Sequence, residues 1–310
     1  MRRMSFWDGA AAALCALLWG LNFVVIALGL RDFPPLLFAS LRFLLAAVPA
    51  ILLVRRPEVG WARVVLIGLL MSVIQFGSLF VAIRLGLGAG LASVVVQSQV
   101  VFTAVISALT LHERPARGRI VGLLIAVAGL CVIGFGAPST SSVAGFALCL
   151  VAGAAWGGGN VLTRAVRPRR PFALLVYSSA VAPLPLLGLS LLVEGPATDI
   201  HALLGLNLSG VLALVYVSGG ATLIGFGLWY RLLTRHPADS VAPFTILVPV
   251  VGLLSAWAVL GEPATPADLL GAAIAVGGLV VIHRWGSGRT GPGGALRGRL
   301  SDPPGIERGR

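Results

Sequence analysis

A single arginine, Arg42, stands inside an otherwise apolar run, ASLRFLLAAVPAILL. A guanidinium at such depth is costly, usually faces a bundle interior, and presents a planar fork suited to a carboxylate. It is equally suited to capping free helix carbonyls or to reaching back towards the outer surface. Two matched pairs occupy similar depths elsewhere: Trp19 with Asn22, and Trp156 with Asn160. Mid-run tryptophans do not fit the interfacial belt that suits Trp7, Trp61, Trp257 and Trp285, so they either wall a cavity or pack between helices. Each asparagine, one turn further on, can contact a solute or bond a neighbouring helix. A fourth run carries Ser93, Gln97, Gln99, Thr103 and Ser107. Ser93 shares a face with Gln97, and Gln99 with Thr103. Two residues turn a helix by about 200°, so one stripe faces a cavity and the other joins helices. Gln75, Tyr177, Phe244 and Thr245 complete the candidate binding set. Pro243 and Pro249 free backbone carbonyls and serve as a hinge or a fixed kink.

Other chemistries are poorly served. A P-loop needs a lysine, and the chain has none. Gly86, Gly88 and Gly90 join two apolar runs, which makes them a tight turn rather than a dinucleotide loop. Neither HExxH nor GxSxG occurs, and no carboxylate pair lies within an apolar run, so no enzyme, metal or cofactor is expected. Every acid and all of His112, His201, His236 and His283 lie at run ends or in connections. Without a buried carboxylate relay, movement of a solute would follow its gradient or use a less obvious proton-linked group. Cys15, Cys131 and Cys149 fall within apolar runs and read as small core residues.

These residues must be positioned by membrane helices. Of 310 residues 57% are hydrophobic and 11% charged, with mean hydropathy +0.97, more apolar surface than a soluble domain could hide. Ten runs of about 20 residues can be drawn at 8–29, 34–54, 63–83, 89–110, 117–136, 143–163, 171–193, 208–230, 239–260 and 266–284; they are numbered as spans 1 to 10. The first is too long for a signal-peptide core and is expected to remain as a helix. Connections are short, and 286–310 reads as a disordered Arg/Gly/Pro-rich tail. The net charge of +12 comes from arginine alone and is distributed between spans, not on a soluble face for nucleic acid. Twenty of the 23 arginines fall on one side of the expected bundle and two on the other. The positive-inside rule therefore predicts both termini, with the tail, in the cytoplasm.

The chain also repeats. The stretch at 111–133 returns at 260–282, with Glu113 on Glu262, Gly122 on Gly271, Ala126 on Ala275, Gly129 on Gly278 and Ile133 on Ile282. Five spans per copy is an odd number, which predicts an all-α membrane protein of two inverted repeats, 1–137 and 143–285, with a solute site between them. Inversion would put Glu113 and Glu262 on opposite faces, so they cannot share a site. Small residues such as Gly118, Gly122, Ala126 and Gly129 suit close packing inside the bundle or in a homodimer.

At these landmarks the sequence resembles the EamA family of the drug/metabolite transporter superfamily. Trp19-Gly20-Leu21-Asn22-Phe23, Pro34-Pro35, Leu41-Arg42-Phe43 and Gly90-Leu91-Ala92-Ser93 with Gln97 and Gln99 are similar to its first repeat. Ala242-Pro243, 247–252 and Glu262 are similar to its second. The resemblance covers about 8–284 and lies nearest the branch exporting O-acetylserine and cysteine; Gly157-Gly158-Gly159 and the tail depart from that branch. It implies a multi-pass exporter of amino acids or related small metabolites in the bacterial inner membrane, working by alternating access. A broader amino-acid or drug efflux carrier is the nearest alternative. An intramembrane lipid-modifying enzyme and a non-transporting assembly factor belong to other classes.

Overall fold

The computed structural model describes residues 5–112, 116–136, 143–236 and 238–285. Arg2, Arg3, Glu113, the turn at 138–142, the tail at 286–310 and the side chain of Trp285 lie outside them. The described residues are helical, with no strand among them. Ten helices are long and apolar enough to cross a membrane: Phe6–Gly29, Pro35–Leu53, Trp61–Arg84, Ala89–Thr110, Arg117–Phe135, Val143–Val166, Pro171–Val193, Leu208–Arg235, Ala242–Leu260 and Pro266–Arg284. They correspond to spans 1 to 10. Large apolar side chains cover their outer faces, among them Leu52, Leu53, Phe135 and Leu184, each at least 80% exposed. Such a surface is stable only against hydrocarbon, where helices satisfy their own backbone groups. Trp7, Trp61 and Trp257 are exposed on it. Cys15 and Cys149 are buried, but Cys131 is exposed and is not the core residue its apolar run suggested.

Several spans are not plain α-helices, and two of the departures recur in both halves, whereas the π-wound end of span 9 at Ala256–Leu260 does not. Span 3 is π-wound over Leu69–Ile74 and span 8 over Tyr216–Ile224. Span 4 tightens to 3-10 geometry over Val96–Ser98, and span 9 over Ala242–Ile246. Single π turns in membrane helices release or redirect backbone carbonyls and side chains, and are frequent at functional sites. Span 7 breaks between Ser179 and Pro183. The connection after it forms a further helix, Pro196–Leu204, that the sequence reading treated as plain connection.

Packing crosses the midpoint of the chain. Span 1 lies against spans 8 and 9, whereas span 6 lies against spans 3 and 4. Spans 2 and 7, 4 and 9, and 5 and 10 pair with one another. The first helix of each copy thus packs onto the other copy.

The small-residue stripes of spans 5 and 10 face each other inside the bundle. A Cβ on Gly122 would lie 2.8 Å from the Gly278 carbonyl oxygen and 2.6 Å from Ile282 Cγ1. A Cβ on Gly271 would meet the Gly129 carbonyl oxygen at 2.8 Å and Ile133 Cγ1 at 2.6 Å. Contacts rise along one helix as they fall along the other, so the two run antiparallel. Shifting every residue by the repeat offset exchanges one pair of contacts for the other. Of the two uses the sequence left open for these stripes, packing inside the bundle is the one observed: they have their partner within the same chain.

Two helix starts that lack a capping side chain of their own borrow one. Span 2 begins at Pro35 after Pro34, and the Glu194 carboxylate accepts from the backbone N–H of Leu36 (2.8 Å) and Leu37 (3.2 Å). Span 4 begins after Gly88, and Glu262 accepts from Ala89 (2.8 Å) and Gly90 (3.0 Å). Each carboxylate satisfies two orphan donors and the positive end of the helix dipole. Glu262, the repeated acid, is thereby a structural cap. Replacing it by alanine removes both acceptors and should cost about 1–2 kcal/mol; a thermal melt of the detergent-solubilised protein should show a lower Tm. Gly129→Leu should be worse, since even a Cβ there meets the Gly271 carbonyl oxygen at 2.5 Å, whereas Gly277→Ala enters open space. Folded yield by size-exclusion chromatography should fall for the first and hold for the second.

Candidate functional site

Arg42 lies seven residues beyond the start of span 2, about 10 Å into the helix at 1.5 Å per residue, and is 2% exposed. Its Nε donates to Thr222 Oγ1 at 3.1 Å. Its guanidinium carbon sits 4.2 Å from the centroid of the Phe76 ring and 5.6 Å from that of Phe43. Its Nη1 is buried and has no hydrogen-bond partner. Stacking on an aromatic face offsets part of the desolvation of the cation, by about 2 kcal/mol in a dry setting. It leaves the outer edge of the fork with an unused donor. Neither snorkelling to a surface nor capping a helix end describes this residue.

Thr222 belongs to the π-wound part of span 8, and the same segment receives span 1. Thr222 Oγ1 donates to the Val217 carbonyl at 2.7 Å, which directs its lone pairs towards Arg42. The adjacent carbonyl, that of Ala221, accepts from Trp19 Nε1 at 3.0 Å. The Tyr216 hydroxyl donates to the Leu18 carbonyl at 2.9 Å. Gly225 completes the fit, because a Cβ there would lie 2.7 Å from Trp19 Nε1. The indole packs against Phe226 and Trp229, at centroid distances of 4.9 and 5.3 Å. Residues from spans 1 and 2 therefore dock on consecutive residues of one distorted segment of span 8. Asn22, one turn beyond Trp19, is 6% exposed, and its Oδ1 is buried without a partner. Gln75, next to Phe76 at the end of the span 3 π segment, is also buried.

The corresponding residues of the second copy are in a different state. Asn160 Nδ2 donates to Gln99 Oε1 at 3.0 Å, tying span 6 to span 4. Thr103 follows on the same face, where its backbone N would lie 2.9 Å from a Cβ on Gly157. The Gln99–Thr103 stripe thus joins span 4 to span 6. Ser93, on the other stripe, donates to the Gly90 carbonyl at 2.6 Å and meets the Pro249 carbonyl at 3.4 Å. Gln97 shares that stripe, is half-buried and bonds to no protein group. Asn22 has no counterpart to Gln99: offsets of 147 and 148 from Gln99 reach Ile246 and Leu247, both apolar.

The remaining candidates are dispersed. The Tyr177 hydroxyl lies 3.4 Å from the Val54 carbonyl, and its ring sits beside Trp61. That is the opposite end of span 2 from Arg42, by twelve residues, or about 18 Å of helix. Trp156 packs against the main core. Phe244 joins a small cluster with Cys15, Leu232 and Val241. Thr245 Oγ1 donates to the Ala242 carbonyl at 2.7 Å, closing its own turn. Pro243 is exposed and Pro249 buried. Thr222, Phe76 and the Ala221 carbonyl were absent from the sequence-derived set. The only signal for Thr222 was its place in an apolar run, because its role depends on the π turn.

Arg42 Nη1 is thus an unused donor and Asn22 Oδ1 an unused acceptor, each buried within the spans. The chain is 41% identical over 284 residues to a probable amino-acid metabolite efflux pump of Salmonella typhimurium, covering 90% of this chain and 95% of that one. It is 40% identical, with the same coverage, to a protein of the same description from Escherichia coli K12. A solved crystal structure shares the fold at a TM-score of 0.64 and 19% identity, over 93% of this chain and 99% of that one. The EamA-like transporter family matches residues 8–135 and 143–284. The chain is a multi-pass membrane protein that belongs to the EamA-like transporter family, a transporter and not an enzyme.

Proposed function

We propose that this protein exports amino acids or closely related zwitterionic metabolites, such as O-acetylserine and cysteine, across the bacterial inner membrane by alternating access. The observation that carries the reading is Arg42: a guanidinium held through Nε and its ring stack, with Nη1 buried and unpartnered. The solute carboxylate takes that donor, and its ammonium group takes the unpaired Asn22 Oδ1. Trp19 and the rings of Phe76 and Phe43 exclude water, which strengthens both contacts. The relatives' shared description as probable amino-acid metabolite efflux pumps supports the solute class.

Alternating access in this reading comes from two inverted five-span repeats with both termini cytoplasmic. The antiparallel, offset-exchanged contacts of spans 5 and 10 support the inversion. The matched π and 3-10 segments of spans 3, 4, 8 and 9 supply the places where a helix changes register at low cost. Pro243, inside the 3-10 stretch of span 9, and Pro249, in the helix that follows it, serve as its hinge. Rocking of the copies about the span 5–span 10 seam exposes the Arg42 site to each side in turn.

Counterflow of labelled amino acids in proteoliposomes tests the assignment, and failure to move any amino acid would overturn it. Arg42→Gln should slow carboxylate-bearing solutes by about ten-fold or more, the usual worth of a hydrogen bond to a charged group, while their amides change little. Equal loss for acid and amide would make Arg42 structural. Asn22 and Asn160 give a paired prediction. Asn22→Leu should hold or raise Tm, because it removes a buried unpaired acceptor, yet weaken transport of free amino acids relative to N-acetylated ones. Asn160→Leu should lower Tm by breaking the bond to Gln99.

A further inference from the structure

On the arginine-rich face, spans 2, 7 and 8 end around a cavity of about 530 Å³. Arg55, Arg169, Arg170 and Arg231 line its rim, and Phe172, Tyr230 and Leu233 are among the side chains forming its wall. Among the described residues, Glu58 is the one carboxylate paired to this group, at 3.4 Å from Arg169 and 3.7 Å from Arg170. Arg55 and Arg231 have no ion pair or side-chain hydrogen bond among the described residues. The neighbouring cavity also touches Arg231, but its acid, Asp8, is engaged by His236 at 2.9 Å and Arg235 at 4.0 Å. Four guanidiniums therefore face one carboxylate in an open pocket.

The same cavity receives the start of span 7. Pro171 is its first residue, no side chain caps it, and the first hydrogen bond back to Arg170 comes from Leu174. The N–H groups of Phe172 and Ala173 and the positive end of the helix dipole are thus left without a partner at a site already rich in guanidinium. The wall behind is apolar: Phe172 and Tyr230 pack at a centroid distance of 6.4 Å, and exposed Leu52 and Leu53 continue the surface outward from Val54.

We propose that this cavity binds the phosphate of an anionic phospholipid, with the first carbons of its acyl chains on the apolar wall. Guanidinium forks grip phosphate oxygens in pairs, and uncapped backbone N–H groups add to the same charge. The site lies where membrane spans end, at the depth of lipid headgroups, and basic pockets between spans are suited to such headgroups. An amino-acid zwitterion has no use for four cations. A soluble anion has no use for the apolar wall and its outward continuation on span 2.

The test is native mass spectrometry of the full-length protein released from micelles doped with phosphatidylglycerol or phosphatidylcholine, with inorganic phosphate as a third arm. Wild type should retain phosphatidylglycerol about ten-fold more than phosphatidylcholine, and Arg55→Gln with Arg231→Gln should erase that preference. Arg63→Gln with Arg284→Gln, which removes equal charge from outside the cavity, should preserve it. The single variant Arg231→Lys, which keeps the charge but loses the fork, should show an intermediate preference and guards against misfolding of the double variant. Equal retention of the two lipids by wild type overturns the proposal. So does equal loss in both double variants, which would mean diffuse charge alone. Complete displacement of phosphatidylglycerol by inorganic phosphate also overturns it, in favour of a soluble anion.

Discussion

A charged guanidinium buried in a bundle without a counterion is the constraint to which the other features around it respond. Arg42 cannot shed its charge under ordinary conditions, and no carboxylate pairs with it. Its environment supplies substitutes: the Phe76 face, the Phe43 ring and one threonine hydroxyl. The hydroxyl is available because span 8 is π-wound at Thr222, and that winding also frees the Ala221 carbonyl for Trp19. A compensation assembled this way is incomplete, since Nη1 remains unused. An unused buried donor is costly to the protein, and in the proposed function a solute carboxylate removes that cost.

The two copies have divided their tasks. In the second, Asn160 and Gln99 satisfy one another and join spans 6 and 4. In the first, Asn22 Oδ1 is buried without a partner, and the positions of span 9 that correspond to Gln99 are the apolar Ile246 and Leu247. The same Trp-Gly pattern thus joins helices on one side and leaves a buried acceptor unpaired on the other. The acids follow a similar economy: Glu194 and Glu262 sit at helix starts that proline and glycine leave uncapped.

Much of the scaffold was legible in the sequence because its signals are local. Apolar runs gave the ten spans, and the glycines at offset 149 marked the faces that spans 5 and 10 bring together. What stayed hidden depends on residues far apart along the chain. The hydroxyl that holds Arg42 is 180 positions away, and the carboxylate capping span 4 is more than 170 away. No local pattern announces a π turn, so Thr222 looked like any residue of an apolar run. Tyr177, a candidate by residue type and depth in its run, lies near the far end of span 2 from Arg42. Asn22 and Asn160 look equivalent in sequence, but only Asn160 finds a polar partner, Gln99, whose corresponding positions in span 9 are the apolar Ile246 and Leu247.

The account stands or falls on whether a solute carboxylate reaches Arg42 Nη1. Nitrogen NMR of the arginine side chains answers this directly, with the Arg42 resonance assigned by its loss in Arg42→Gln. Titration with an exported amino acid should shift that resonance, and titration with the methyl ester of the same amino acid should leave it in place. Shifts of equal size from acid and ester, or no shift at saturating solute, would contradict the central claim.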